Sequence, residues 1–147
     1  MGYSTNIGLL LEFTTQELAR LTGDSTGAVI NYDRIDYARY MADSIIDAYL
    51  SGRYGVPFED PVPAIIEKIS YDLTVANLYD FAYRSTSVPQ TVTWRKINIM
   101  KLLRDVQSGL VSIGAGTHGT DAPPLIESNK TESDKLFTDD ILDQFEL

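Results

Sequence analysis

Apolar residues recur every three or four positions in the stretch that follows Asn31, and this spacing forms one face of an α-helix. Asn31 or Asp33 supplies the side-chain oxygen that caps such a helix. Gly52 and Gly55 end it, and Pro57 cannot continue it. The predicted buried stripe is Ile35, Ala38, Ala42, Ile45, Ile46 and Tyr49. The polar positions beside it are Asp36, Arg39, Asp43 and Asp47.

Two further stretches, residues 64–83 and residues 90–107, have the same periodicity. Pro61 and Pro63 precede the first, and proline suits a helix start because its missing N–H has no helical partner there. Apolar residues occupy more than one side of residues 64–83, so we expect this helix to be central. Gly109 is suited to end the second. The stripes are Ile65, Ile69, Leu73, Ala76 and Tyr83 in the first, and Ile99, Leu102, Leu103 and Val106 in the second.

Two shorter helices are predicted near the N-terminus. Thr5 is placed to cap one over residues 6–12. Thr14 and Glu17 have the capping-box spacing, with a hydroxyl first and a carboxylate three residues later. Gly23 then ends the second helix, and Asp24 follows in a turn. A short extended segment is expected after Gly109, around residues 110–114.

The composition changes after residue 114. Residues 114–124 are rich in Gly, Thr and Pro, and residues 128–134 are polar, so both are predicted as linker. Thr138 is placed to cap a last short helix. Such a helix needs a neighbour, because it cannot stabilise itself in isolation. Its apolar residues are Leu136, Phe137, Ile141, Leu142 and Phe145.

These elements predict an all-α fold with a helical bundle over residues 1–114 and an extended arm over residues 115–147. A chain of 147 residues with 44% apolar content can build one core. It contains no apolar run of about eighteen residues, so we expect no membrane span. We also expect no secretory signal, since no basic region precedes an apolar stretch.

The net charge of −9 is unevenly distributed. Residues 1–114 contain 13 acids and 10 bases, whereas residues 115–147 contain 8 acids and 2 bases. An acidic surface repels phosphate backbones, so tight DNA binding is not expected. The same sign suits a surface past which DNA slides without adhering.

No catalytic, cofactor-binding or metal-binding site is predicted. Residues 114–119 match the G-x-G-x-x-G pattern, but no strand–helix–strand unit surrounds them. His118 is the single histidine and lies in the predicted linker, where no packing would hold a catalytic base. The chain has no cysteine, which excludes disulfides and thiolate zinc sites. Asp24 lacks the ligand spacing of an EF-hand and is explained by a turn.

Two carboxylate pairs also favour structural roles. Asp43 and Asp47 lie one turn apart on an outward face, where we expect them to be solvated or paired with Arg39. Asp72 and Asp80 lie on a largely apolar helix, so we expect one of them to pair across the bundle, with Arg53 or Arg84 as its partner.

The segment between the two longest predicted helices carries a resemblance to a known family. Residues 49–57 read YLSGRYGVP, and a Val-Pro-led helix follows with Asp72 and a Leu-Tyr pair at residues 78–79. Earlier positions agree as well, with Tyr3, Thr5 and Phe13 followed by LTGD at residues 21–24. The body ends in GLVSIG at residues 109–114. Over residues 3–114 the chain resembles the small neck proteins of Mu-like tailed phages and prophages, which are head-completion or head–tail connector proteins.

The resemblance implies a four-helix connector-type bundle that assembles as a ring, commonly of twelve subunits, beneath the portal. It implies no enzymatic activity and no cofactor. The expected partners are other copies of the chain, the portal protein and the head-closure or tail proteins, with double-stranded DNA passing through the channel without specific binding. The expected location is the virion neck, and the host cytoplasm during assembly.

A closed ring of identical subunits needs two different contact surfaces on each subunit. We expect one surface around Tyr37, Tyr40 and Asp43, with Arg53 and Tyr54 as further interface residues, because tyrosine is favoured at protein interfaces. The tyrosines are equally consistent with a core edge. The other surface is expected on the helix over 64–83 or over 90–107. The arm is expected to bind the portal or a neighbouring subunit through Leu136, Phe137, Ile141, Leu142 and Phe145.

Two alternatives differ in class. The first is an acidic, phage-encoded regulatory or DNA-mimicking protein, which the net charge favours, although the predicted helix over 90–107 is net basic. The second is a small enzyme, which no group of residues supports.

Overall fold

The computed structural model describes residues 2–83 and 88–116. They form five helices and contain no strand, which confirms the all-α class. The predicted helix over 64–83 has the observed bounds, and the helix predicted over 90–107 extends one residue further. The helices are α1 (Asn6–Glu12), α2 (Thr15–Leu21), α3 (Tyr32–Leu50), α4 (Ala64–Tyr83) and α5 (Gln90–Ser108).

The helix starts follow the predicted caps with one exception. The Thr14 side chain accepts a hydrogen bond from the backbone N–H of Glu17, and the Glu17 carboxylate accepts one from the Thr14 N–H, so the capping box is confirmed. Asn31 caps α3 through a bond from the Arg34 N–H. Thr5 occupies the cap position of α1, but its side chain makes no capping bond, so that part of the prediction was wrong.

Helix α4 lies at the centre of the bundle, as its apolar residues on several sides predicted. It packs against α3 most extensively and also against α5 and α2. The core has two parts. The first joins α3, α4 and α5 through Ala42, Ile46, Leu50, Ile66, Ile69, Leu73, Ile99, Leu103 and Val106. The second, nearer the short helices, contains Leu9, Leu18, Ile35, Ala38, Val75 and Leu78.

The segment from Ser51 to Pro63 connects α3 to α4 and closes one end of the first core. Tyr54 is 1% exposed within this core, and Phe58 packs beside it with ring centroids 6.2 Å apart. Gly109 ends α5 with a φ of 83°, the left-handed conformation that glycine tolerates. Residues 110–114 form no strand, and bends at Leu110, Val111 and Gly114 interrupt the predicted extended segment.

The predicted arm, including Leu136, Phe137, Ile141, Leu142 and Phe145, lies outside the described residues. The division into a body over 1–114 and an arm over 115–147 therefore stays a prediction. Among the helices of the described part, none is long and apolar enough to cross a membrane.

Candidate interaction surfaces

The outward face of α3 carries three large exposed side chains. Tyr37 is 55% exposed, Tyr40 is 66% exposed and Met41 is 39% exposed. Tyr37 stacks on Phe81 of α4 with ring centroids 5.8 Å apart, which fixes the orientation of its ring. Because α3 turns its aliphatic stripe toward α4, these three residues remain on the side away from the core. We call Tyr37, Tyr40 and Met41 the α3 surface.

Asp43, which was predicted to share that surface, belongs to a network beside it. Its carboxylate accepts hydrogen bonds from the Ser70 hydroxyl at 2.6 Å and from the Tyr3 N–H at 3.1 Å. Burial raises the pKa of Asp43, and the bonds from Ser70 and Tyr3 oppose that shift. The Tyr3 hydroxyl donates to Asp47. The expectation that these two acids are solvated or paired with Arg39 was wrong, because the N-terminal segment lies against them.

Arg39 instead pairs with Asp36 at 3.1 Å and donates to Asn6 of α1. Between the N-terminal segment and α3 lies an open cleft of about 520 Å³. Tyr40 lines this cleft together with Asp36 and Arg39. The α3 surface is therefore continuous with a polar cleft on one side.

Arg53 and Tyr54, the other two predicted interface residues, pack inside the chain. The Arg53 guanidinium lies over the Tyr54 ring, 5.6 Å from its centroid, and its Nε donates to the Tyr54 hydroxyl at 3.3 Å. A Cβ at Gly109 would lie only 2.5 Å from a guanidinium nitrogen of Arg53. Tyr54 is buried in the first core, so a neighbouring subunit would reach this place through Arg53.

Helix α1 exposes an apolar face that the sequence reasoning missed. Ile7 is 65% exposed, Leu10 is 50% exposed and Leu11 is 82% exposed, whereas Leu9 is buried in the second core. Ile7, Leu10 and Leu11 have the i, i+3, i+4 spacing of one helix face. That spacing was readable in the sequence, but Leu9 supplied a competing choice for the buried side. We call Ile7, Leu10 and Leu11 the α1 surface.

A chain of charged contacts joins α1, α4 and α5. Nη2 of Arg95 lies 2.8 Å from Oε1 of Glu12, and Nη1 of Arg95 lies 3.8 Å from Oδ1 of Asp72. Asp72 also pairs with Lys68 at 2.7 Å, and Tyr71 donates to Glu12. Burial would raise the pKa of Glu12, but the hydrogen bonds from Arg95 and Tyr71 outweigh it and lower that pKa. These contacts hold the short helix α1 against the long helices.

The partners of Asp72 and Asp80 differ from the prediction. Lys68 and Arg95 contact Asp72, and Lys96 pairs with Asp80 at 2.7 Å. Arg53 instead covers Tyr54, and Arg84 lies outside the described residues. The pairing across the bundle was predicted correctly, because Arg95 and Lys96 of α5 contact the two acids, but these are not the predicted cations. Asp72 has a further partner, Lys68, on α4 itself.

An open groove of about 600 Å³ runs between α4 and α5. Ile99 and Leu102 line it together with Trp94, which is 55% exposed. Ile97, one turn further along α5, is 53% exposed. This groove is a third surface on which apolar side chains meet solvent.

The remaining candidate sites have structural explanations or lie outside the described residues. Asp24 accepts bonds from the backbone N–H groups of Thr26, Ala28 and Val29, which confirms the turn, and bonds from Thr26 and Val29 hold the pKa of Asp24 well below its usual range. His118 and the second half of the glycine-rich match, residues 117–119, lie outside the described residues. Within residues 2–83 and 88–116, no group of three or more His, Cys, Asp or Glu residues is placed to hold a metal ion.

Fold and surface together define an all-α protein that presents exposed apolar side chains on α1, α3 and α5, a feature typical of proteins that bind other proteins. The family model described as "Bacteriophage Mu, Gp36" matches residues 3–130. The chain therefore belongs to the bacteriophage Mu Gp36 family and is a Mu-like phage protein. The search of curated proteins found no match.

Proposed function

We propose that this protein is a non-enzymatic structural protein of a tailed-phage neck, a head–tail adaptor that forms a ring between the portal and the head-closure or tail proteins. Membership of the bacteriophage Mu Gp36 family supports the part of this proposal that makes the chain a phage protein. The observation that carries the finer proposal is the pair of exposed apolar surfaces on α3 and α1. In this proposal the described helices form the connector-type body of each subunit.

The two surfaces have the properties that a ring contact needs. A head-to-tail ring joins one patch of each subunit to a different patch of the next. The α3 surface is aromatic, and the α1 surface is aliphatic. Helix α4, an expected location for the second patch, is largely buried within its own chain. Helix α5, the other expected location, exposes Trp94 and Ile97 among basic residues, whereas α1 exposes three large aliphatic side chains on one face. We therefore assign the second patch to α1, with about twelve subunits as the size that the family resemblance implies.

The acidic net charge of the chain supports the proposal that DNA passes through a channel at the centre of the ring. The net charge of −9 disfavours adhesion of a phosphate backbone. We propose an acidic lumen past which DNA moves without specific contacts. A basic lumen in an assembled ring would contradict this part of the proposal.

The regulatory or DNA-mimicking alternative has less support. A mimic needs a row of unpaired carboxylates along one face. Four acids of the described helices are instead paired with cations: Glu12, Asp36, Asp72 and Asp80.

The direct test is the mass of the chain in solution by light scattering, alone and after addition of the portal protein from the same phage. We expect a shift to a ring-sized assembly when portal is present. The Tyr40→Glu variant should lose this shift, whereas Arg20→Glu, a charge change on the exposed side of α2, should retain it. A wild-type chain that ignores portal would contradict the adaptor function.

A further inference from the structure

The groove between α4 and α5 has an apolar lining and a basic border. Ile99 and Leu102 line it, and Trp94 stands half-exposed at its edge. The side chain of Lys68, on the α4 border, is 64% exposed. Asp72 is the acid within the groove, and it is already neutralised by Lys68 and Arg95. The lining holds two bases and one acid, so an occupant would meet apolar surface with a single excess positive charge, and Lys68 and Arg95 are each already paired with an acid of this chain.

Helix α5 carries further apolar and basic side chains beyond the groove. Lys101 follows Trp94 by seven residues, which places it two turns along the same helix face. Ile97 lies between Trp94 and Lys101 along the helix, on the neighbouring part of its surface. The helix contains four bases and one acid, so it is the basic element of an acidic chain: Arg95, Lys96, Lys101, Arg104 and Asp105.

The C-terminal segment, residues 136–146, has the complementary chemistry. This segment lies outside the described residues. Phe137, Ile141 and Phe145 are spaced by four residues, the spacing of one helix face. The four acids of the segment lie outside that face: Asp139, Asp140, Asp143 and Glu146. An amphipathic segment of this length gains stability only against a partner surface.

The intervening chain has a length that suits contact within one molecule. Residues 117–135 provide 19 residues between the last described residue and the segment. A coil of that length spans about 24 Å on average. The part of α5 from Trp94 to Ser108 is about 21 Å long, and Gly116 lies near the loop at Gly55–Pro63. A linker that matches its span gives an effective concentration on the order of millimolar.

We propose that residues 136–146 of the free chain dock in the α4–α5 groove of the same molecule. Phe137, Ile141 and Phe145 cover Trp94 and the apolar lining. Asp140 borders that row and faces Lys101, and the other three acids of the segment remain on the solvent side. This inference goes beyond the proposed function, because it concerns the chain before it meets any partner. Docking would keep the segment from other proteins until one of them displaces it.

The single tryptophan, Trp94, reports directly on the groove. The test is acrylamide quenching and emission maximum of Trp94 in the full-length chain. In a variant with Phe137→Ser, Ile141→Ser and Phe145→Ser, we expect quenching to rise about twofold and emission to shift to the red, because the covering side chains no longer exclude water. The control carries Leu125→Ser and Ile126→Ser, apolar positions outside the segment, and should match the wild type.

A second variant tests the charge contribution without altering the segment. Lys101→Glu should raise quenching in the same direction, and Arg20→Glu on α2 should leave it unchanged. Equal quenching of the wild type and the triple serine variant would overturn the proposal. Protection that disappears on dilution would also overturn it, since a second copy would then be the occupant. Portal takes no part in these measurements, so their failure would leave the adaptor proposal untouched.

Discussion

Tyr3 shows how one residue connects three parts of this chain. Its hydroxyl donates to Asp47 of α3 and accepts from the Phe58 N–H at 3.0 Å, while its own N–H donates to Asp43. Burial, followed by the hydrogen bond to Asp47, raises the pKa of Tyr3 far above its ordinary value. The hydroxyl therefore remains protonated and keeps its donor role. Through Tyr3, the N-terminal segment closes the side of α3 next to the segment from Ser51 to Pro63.

Removing that hydroxyl should destabilise the fold. We expect Tyr3→Phe to lower the free energy of unfolding by about 1–3 kcal/mol, because a carboxylate and a backbone N–H lose a partly buried partner. Urea denaturation measures the loss. Tyr40→Phe removes the same atom from a side chain that is 66% exposed and should change stability by no more than about 0.5 kcal/mol. Equal effects of the two variants would show that the Tyr3 contacts contribute nothing.

The contact between Glu12 and Arg95 should make stability depend on pH. The lowered pKa of folded Glu12 means that its contribution is fully present above the ordinary value of 4.5 and is lost as pH falls through the folded pKa. We expect the wild type to be more stable than Glu12→Gln at neutral pH and the two to converge in acid. Urea midpoints at both pH values measure this difference. A constant difference at every pH would contradict the assignment.

The long-range partners of these residues could not be predicted from the sequence. Asp43 and Asp47 occupy polar positions of a correctly predicted helix, so their spacing indicated solvent. Their true partners, Tyr3 and Ser70, are at least 27 positions away in the chain. Periodicity describes one helix at a time and carries no information on which polar segment later covers it.

At the scale of elements, the helices that matched prediction are those with strong periodicity and a matching end signal. For α3, α4 and α5, apolar stripes coincided with Asn31, Pro63 and Gly109 at their ends. Helix α1 is different, because its seven residues include four large aliphatic side chains. The positions of α3 and α4 decide which of these four side chains is buried, and in the structure it is Leu9.

The contrast between α4 and α1 gives a prediction about core packing. Leu73 is 1% exposed in the middle of α4, and Leu11 is 82% exposed on α1. Leu73→Ala should cost about 2–5 kcal/mol of unfolding free energy, because it leaves a cavity where three helices meet. Leu11→Ala should be nearly neutral in the same denaturation experiment. A large loss at Leu11 would mean that the α1 surface is covered within the monomer.

At the scale of the whole molecule, the described helices leave apolar surfaces on α3, α1 and α5 uncovered, and those on α3 and α1 differ in composition. The tyrosines of the α3 surface were predicted because tyrosine is favoured at protein interfaces, and the structure leaves them exposed. The α1 surface was not predicted, because Leu9 was a competing candidate for the buried side of that helix. The family match covers residues 3–130 and thus includes both surfaces. The proposed ring therefore depends on head-to-tail contact between the α3 and α1 surfaces.

Mixing two defective variants tests that contact most directly. Tyr40→Glu should inactivate the α3 surface and Leu11→Glu the α1 surface, so neither variant assembles alone under conditions where the wild type does. An equimolar mixture retains one intact contact, and native mass spectrometry should detect a two-chain species containing one copy of each variant. That species cannot grow, because both remaining surfaces are altered. Full rings from the mixture, or two variants that stay separate, would contradict head-to-tail assembly through these surfaces.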